Sequence, residues 1–484
     1  MRGGGTSSAA APTSPPLSSP PPTELRALQF NVWLDATKVK DGLELTASAI
    51  LDSNADVVSL NEVKNFWGND FVSNLKKELH YQQEERETQG ESQKYSQWYG
   101  NFPGNPHKLH IDADTAIISR YPVLEELVVH RTPGNSIVRS LIEMSPCQPP
   151  VVVYSVHLEY RAYSCYLPRG YNSHSASFPG WNPVLARQQR KADSSDSTTF
   201  WASSSFSYHA GNCLGTVYGL VVGDRTKSQD DLNPITDVDV IHQDNLSSGR
   251  PEAIEKILED VEALSRSNAH YRNNASGIMP VIIMGDFNEP SNLDWTEDTK
   301  HTAGHNGVVY QWETTRRLFN AGWVDSYREL HPNVLTHPGY TWPAAARGKN
   351  NMRELMTGWL RNADERDRID FIFYKNQATQ RLSRITPSLS LHPVDAWLVG
   401  TPVIVVGNTL LDESLKCDSG EIEAKTITLT ECSDRNCKPT QDQYSLKVGS
   451  LWPSDHRAVM TVFELRSTTV TQCSEHPKHP TTVK

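Results

Sequence analysis

The sequence predicts an α/β fold in which two mostly antiparallel β-sheets pack face to face, with helices outside them. Three observations predict it. About ten strand-like apolar runs outnumber the helical stretches. Helix follows strand near both ends of the chain, whereas strand follows strand through the middle. No internal repeat breaks that order at the periods of roughly 20 to 50 residues that mark solenoids and propellers.

The elements follow in order. In "LRALQFNVW" the apolar residues Leu25, Ala27, Leu28, Phe30, Val32 and Trp33 describe a buried strand rather than an alternating one. Leu43, Ala47, Ile50 and Leu51 share one helical face, and Asn54 supplies a stop. "DVVSLNEV" is then a strand with Asn61 and Glu62 at its end. "TAIISRYPV" is a strand closed by Tyr-Pro. "SIVRSLIEM" and "PVVVYSVHLEY" are consecutive strands joined by a turn around Pro146, Pro149 and Pro150. A polar stretch without a period, 161–248, reads as an insertion, its least patterned part being 191–232. "RPEAIEKILEDVEALSRSNA" is an amphipathic helix with Ile254, Ile257, Leu258, Val261 and Leu264 on one stripe. "VIIMGDFNEPSN" is a buried strand that delivers Asp286 and Asn288, and "TTRRLFNAGWVDSYREL" begins as a helix. In "RIDFIFY" Ile369, Phe371 and Phe373 face one way and Asp370 the other. "WPSDHR" leads into the last strand, "AVMTVFEL". The expected organisation is a leader over 1–23, one catalytic domain over 24–466 with insertions at 161–248 and 391–450, and a tail over 467–484.

Composition narrows the partners. With 46 basic and 57 acidic residues, the net charge of −11 argues against a broad polybasic nucleic-acid surface, though not against a local basic cleft. Acidic clusters are also what a divalent-cation enzyme shows before its metal is counted. No stretch reaches the roughly 18 apolar residues of a membrane span. The leader is Gly/Ser/Ala/Pro-rich and lacks the apolar core of a signal peptide, so it is expected to be disordered. The seven cysteines fit no zinc pattern; those at 417, 432 and 437 lie close enough in sequence for a disulfide. Asn245-Leu-Ser247 and Asn274-Ala-Ser276 match the N-glycosylation pattern, a weak lean towards a secreted protein. A monomer is expected.

The chemistry gathers at strand ends. Asn31, Glu62, His157, Asp286, Asn288, Asp370, Asp455 and His456 each arrive at, or just past, a rigid apolar run. Singly, each has a plain structural reading: a turn residue, a cap, a satisfied core histidine. Jointly they do not, because buried carboxylates need cations or hydrogen bonds to offset their desolvation. An oxygen-and-amide set without thiolates suits Mg²⁺, with Mn²⁺ or Ca²⁺ as alternatives, better than zinc.

"LQFNVW", "LNEV", "TAIISRYPV", "SVHL", "MGDFN", "DRIDFIFY" and "WPSDHRAV" occur in the order of the motif set of the endonuclease/exonuclease/phosphatase superfamily, which the chain resembles over about 25–160 and 250–465. That superfamily includes deoxyribonuclease-type enzymes, exonuclease III, neutral sphingomyelinases and inositol polyphosphate 5-phosphatases. The resemblance implies a four-layer α/β sandwich and a divalent-metal-dependent phosphoric ester hydrolase. It also implies roles. Glu62 would bind the metal, with Asn31 beside it and Asp455 completing the cluster. Asp286 would orient or deprotonate the attacking water, and Asn288 would contact the phosphate. Asp370 would hold His456, and His456 and His157 would face the phosphoryl oxygens.

The sequence departs from the pattern at Asn61, where many relatives carry glutamine, and in its two long insertions. The substrate therefore stays open between three readings. The first is a nuclease-like phosphodiesterase acting on DNA or RNA. For it, Arg120, Arg139, Arg161, Arg169, Lys349, Arg353 and Arg361 would contact phosphates, and Tyr160, Tyr163, Tyr166 and Tyr171 would stack bases. The second is a hydrolase of a phospholipid or inositol phosphate. The third is a catalytically silent binding protein on the same fold.

Overall fold

The computed structural model describes residues 22–64, 70–90, 97–102, 114–169 apart from 133 and 147, 234–267, 279–344 apart from 303, 367–376, 389–400 and 452–467, with short strands between 346 and 445. Its strands are β1 (Glu24–Asn31), β2 (Val57–Asn61), β3 (Thr115–Ser119), β4 (Val123–Thr132), β5 (Asn135–Ile142), β6 (Val151–His157), β7 (Val281–Asp286), β8 (Val324–Asp325), β9 (Ala346–Arg347), β10 (Leu355–Met356), β11 (Asp370–Lys375), β12 (Leu389–Val399), β13 (Ile404–Val406), β14 (Thr409–Leu411), β15 (Leu429–Ser433), β16 (Asn436–Thr440), β17 (Tyr444–Ser445) and β18 (Ala458–Ser467). Its helices are α1 (Gly42–Asp52), α2 (Phe71–Thr88), α3 (Val238–Leu246), α4 (Arg250–Ser267), α5 (Glu313–Asn320) and α6 (Ser326–Leu330).

Two six-stranded sheets carry the fold, in the orders β17-β12-β18-β1-β2-β3 and β4-β5-β6-β7-β11-β8. Only β1/β2, β12/β17 and β6/β7 run parallel; the other neighbours are antiparallel. The small pairs β9-β10 and β14-β13-β15-β16 form separate sheets, and the second sets Cys432 opposite Cys437 in register.

Alternation along each strand sorts side chains into layers. Leu25 and Ala27 of β1, Val57 of β2, Val151 and Val153 of β6, Ile282 and Met284 of β7, Ile372 of β11 and Phe463 of β18 meet between the sheets. Leu28, Phe30, Val58, Leu60 and Met460 point the other way, onto Ala47, Ile50, Phe71 and Leu75 of α1 and α2. Val152, Tyr154, Val281, Ile283 and Phe371 cover the far side of the second sheet against Ile254 and Ile257 of α4. The result is helix, sheet, sheet, helix: the four-layer α/β sandwich expected from the sequence.

Some expectations are corrected. Residues 391–399, assigned to the second insertion, belong to β12, which pairs along its length with β18 in the first sheet. Its inward positions Leu389, Leu391 and Leu398 are buried, and the bulge between Pro393 and Asp395 broke the alternation that would have announced it. Within the region read as the first insertion, 161–169 and α3 pack on the body; residues 170–233 lie outside those described. So do the leader up to residue 21, the tail after 467, and Tyr171, Lys349, Arg353 and Arg361. Among the described residues no helix is long and apolar enough to cross a membrane.

Candidate active site

The layer between the sheets changes character along its length. On β1 the inward residues run Leu25, Ala27, Gln29, Asn31; on β6 they run Val151, Val153, Ser155, His157; on β7, Ile282, Met284, Asp286. Each strand is thus apolar at one end and polar at the other, and the polar ends coincide. Register makes them coincide. His157 lies opposite Asp286 across the parallel β6/β7 pair, and Asp370 lies opposite Asp286 across β7/β11. Gly285 permits this approach, since a Cβ there would sit 2.1 Å from the Val156 carbonyl oxygen.

A buried polar network ties the sheets together beneath the site. Ser59 and Ser155 hydroxyls lie 2.7 Å apart across the interface. Asn61 donates to Thr115 Oγ1 at 2.9 Å, while its own Oδ1 accepts the Asp286 backbone N–H at 2.9 Å and the Gln29 amide at 2.5 Å. Gln29 also reaches Asp370 Oδ1 at 3.3 Å.

Asp286 is the hub above that network. Its Oδ1 accepts the Asn288 N–H at 2.9 Å. Its Oδ2 accepts from Asn31 Nδ2 at 2.9 Å and faces His456 Nε2 at 3.7 Å and His157 Nε2 at 3.8 Å. Burial and the nearby Asp370 carboxylate push its pKa up, against the pull of the two histidines. Each histidine is held from behind by an acid. His456 Nδ1 lies 2.9 Å from Asp370 Oδ2, and His157 Nδ1 lies 2.8 Å from Asp114 Oδ2. Burial opposes the positive charge of His456, but Asp370 and then Asp286 outweigh it and push the pKa up to about 10. Burial likewise opposes His157, and the Asp114 carboxylate with Asp286 raises its pKa nonetheless. Lys64 pairs with Asp114 as well. Those two cations hold Asp114 well below the usual carboxylate range despite its burial.

Glu62 and Asp455 complete the cluster. Asn31 Nδ2 approaches Glu62 Oε1 at 3.4 Å, and Leu34 N–H donates to Glu62 Oε2 at 3.0 Å. Asp455 is buried, and its Oδ1 has no hydrogen-bond partner. Burial raises its pKa, and Glu62 and Asp286 add to that rise while His456 opposes it. Lys38 lies within electrostatic range of Glu62 and Asp455.

All eight residues singled out from the sequence therefore converge, from strands that span most of the chain. Asn288 has a structural part as well: its amide donates to the Leu158 carbonyl at 3.0 Å, just past the ends of β7 and β6. Its left-handed backbone (φ 48°) is one that asparagine tolerates. Sequence reasoning missed Asp114, Lys64, Gln29 and the structural part played by Asn61. Asp114 had a usable signal, an acid set directly before the apolar run of β3.

Other expectations fail on the structure. Arg139 is buried against Asp260 and Glu125, Arg169 is buried on Asp367, and Arg120 binds Asn54, so these serve the interior rather than a phosphate surface. Tyr163 and Tyr166 lie in an aromatic core with Trp295, Tyr310, Trp312 and Trp342; of the described tyrosines proposed to stack bases, only Tyr160 is exposed. Asn245, first residue of one glycosylation motif, is fully buried and donates to Glu289 Oε2 at 2.5 Å, so the folded chain has no room for a glycan there. Asn274 lies outside the described residues.

A sequence profile of the endonuclease/exonuclease/phosphatase family matches residues 28–456. The chain belongs to that family. The match begins on β1 and ends at His456, so the family profile and the convergent site span the same stretch. A Caenorhabditis elegans protein described as uncharacterised, F14F9.5, is 41% identical over 98 residues, which is 20% of this chain and 28% of that protein. The chain thus matches less than a third of that relative's length. Among solved structures, an endonuclease/exonuclease/phosphatase from Beutenbergia cavernae is 14% identical, covering 92% of this chain and 72% of that one with a TM-score of 0.37. The human Nocturnin catalytic domain with bound sulfate is 11% identical, covering 92% and 95% with a TM-score of 0.38.

Proposed function

We propose that the chain is a divalent-metal-dependent hydrolase that directs water onto a phosphodiester. The observation that carries this reading is the environment of Asp286, a carboxylate flanked by two imidazoles that are themselves held by Asp370 and Asp114.

The chemistry follows from the charges. Attack on a phosphodiester adds negative charge to its non-bridging oxygens. His456 and His157, kept cationic by their acids, supply the opposite charge in a desolvated place. Asp286 is the group that accepts a proton from water. Asp370 and Asp114 keep each imidazole's outer nitrogen pointing at the cleft. Asp286, Asp370 and His456 bring three ligand atoms within 4.8 Å of one another, a spacing a metal would tolerate. With Nδ1 of His456 bonded to Asp370, that trio is better read as proton machinery. Glu62 and Asp455, with Asn31 beside them, are the better metal set: both carboxylates offer hard oxygen donors, and the buried, partnerless Asp455 Oδ1 is the atom a cation would satisfy. Mg²⁺, Mn²⁺ or Ca²⁺ bound there would supply Lewis-acid stabilisation of the phosphoryl oxygens.

Nuclease-like action on DNA or RNA is the first substrate reading. A compact ester, such as a phospholipid headgroup or an inositol phosphate, is the second reading: among the described residues, Arg120, Arg139 and Arg169 are taken up by internal partners and are not offered to a long phosphate backbone. The deciding experiment assays purified protein with Mg²⁺ or Mn²⁺ against plasmid DNA, RNA, sphingomyelin vesicles and inositol phosphates. Turnover of any of them should be lost on chelation and restored by metal. Asp286→Ala and His456→Ala should each slow it by at least about 10²-fold. Full turnover in EDTA, or in either variant, would defeat the reading. A failure of every substrate, with metal binding untouched in Asp286→Ala and Glu62→Gln, would leave the silent binding protein as the better account.

A further inference from the structure

Four consecutive residues after β1 carry left-handed backbone: Trp33 (φ 49°), Leu34 (57°), Asp35 (57°) and Ala36 (53°). None is glycine, and such conformations are disfavoured for every residue with a Cβ. The Ala36 N–H closes the turn on the Val32 carbonyl at 2.8 Å, so this is one turn of left-handed helix. It is buried throughout, and Gly42 abuts it so closely that a Cβ there would meet the Ala36 carbonyl at 2.0 Å. Glu62, which faces it, is left-handed too (φ 61°).

The turn's polar groups converge on the Glu62 segment. Leu34 N–H donates to Glu62 Oε2 at 3.0 Å, and Asp35 N–H donates to the Glu62 carbonyl at 3.0 Å. Asp35 Oδ1 accepts the Lys64 N–H at 2.7 Å, gripping the chain two residues beyond. Val32 N–H and the Asn61 carbonyl, 3.0 Å apart, fasten the other side. Trp33 N–H donates to Asn31 Oδ1 at 3.0 Å. One strained turn thus sets the carboxylate of Glu62 and the amide of Asn31 at once, and strain of this kind persists only where its surroundings over-determine it.

We infer that the Trp33–Ala36 turn is a preformed clasp that aims Glu62 at a divalent cation, and that Asp35 is the positioning residue that closes it. The inference rests on the proposed assignment of Glu62 as a metal ligand. The contact that closes the clasp is the acceptor oxygen of Asp35 on the Lys64 N–H, which an asparagine oxygen would keep and an alanine would not.

The test is a Mn²⁺ titration of the full chain, followed by calorimetry and by the paramagnetic signal of free Mn²⁺, at a temperature where circular dichroism shows each variant folded. Glu62→Gln should abolish the tight site. Asp35→Ala should weaken it about 10- to 100-fold, as loss of an outer-shell partner does, while Asp35→Asn, which keeps the oxygen, should stay within about threefold of wild type. If Asp35→Ala folds too poorly to titrate, Asp35→Glu is read instead, since its acceptor is one methylene out of place and should weaken binding similarly. Wild-type affinity in Asp35→Ala or Asp35→Glu, with Glu62→Gln defective, overturns the clasp alone. Equal weakening in Asp35→Asn and Asp35→Ala overturns it in favour of a simple charge effect. Mn²⁺ affinity unchanged in Glu62→Gln overturns the metal assignment and the clasp with it.

Discussion

Asp114 and His157 make a pair whose worth depends on pH. Asp114 is held below the carboxylate range, so its contribution is present above its unfolded pKa of about 4 and is lost as pH falls through the folded value. His157 is raised, so its contribution is whole below about 6.5 and is lost as pH rises through its folded pKa. The stability difference between wild type and Asp114→Asn should therefore be largest between about pH 4 and 6.5 and shrink on either side. Urea unfolding across that range measures it; a difference that is flat with pH would remove the pair from this account. At the same scale, Asp370→Asn should lower the pKa of His456, read by NMR titration of its ring, because the substitution removes the strongest of the three carboxylates, Asp370, Asp286 and Asp455, that hold it charged. An unmoved pKa would contradict the dyad.

The β6/β7 pair sets the site at the level of elements. Its parallel register places His157 beside Asp286, and the close approach at Gly285 has no room for a side chain. Gly285→Ala should cost about 1–3 kcal/mol, the range for overpacking, in chemical denaturation, and should also lower activity by shifting that register. A variant that keeps both stability and rate would show the strands to be less tightly apposed. The left-handed turn tells the same story from the other sheet, where each non-glycine residue costs about 1–2 kcal/mol against right-handed backbone. Elements with strong patterns were legible in advance, among them α1, α4, β7 and β11. Others were not. β4 is a half-exposed edge strand with two register shifts, so neither period shows in its sequence. In α2, polar residues dominate, and the buried stripe of Phe71, Val72, Leu75 and Leu79 ends on a buried Gln83.

Across the whole molecule, metal binding and folding should be linked. Glu62 and Asp455 come from opposite ends of the chain and are brought together only in the folded state, so a cation that binds there stabilises it. At about 100 times the dissociation constant the gain is roughly 2.7 kcal/mol, which should appear as a rise in thermal midpoint with Mn²⁺ and vanish in Glu62→Gln. A midpoint indifferent to metal in the wild type would count against the cluster as a cation site. The buried Arg250–Glu289 pair, which ties the start of α4 to the segment just after β7, is the matching structural test. Arg250→Met should cost about 3–5 kcal/mol, since it takes the cation from a buried carboxylate; a loss below about 1 kcal/mol would show that the neutral donors Asn245 and the Thr314 N–H suffice for Glu289. By itself the sequence determined the sandwich and marked the strand ends where the candidate site gathers, because strand periodicity and the residue at a strand's end are local properties. Only the tertiary structure decided that Arg120, Arg139, Arg169, Tyr163 and Tyr166 are interior, that Asn245 is closed to glycans, and that Asp35, Gln29 and Asp114 stand behind the candidate site's carboxylates and imidazole. Those facts depend on which distant segments meet across two sheets, and no spacing along the chain encodes a meeting of that kind.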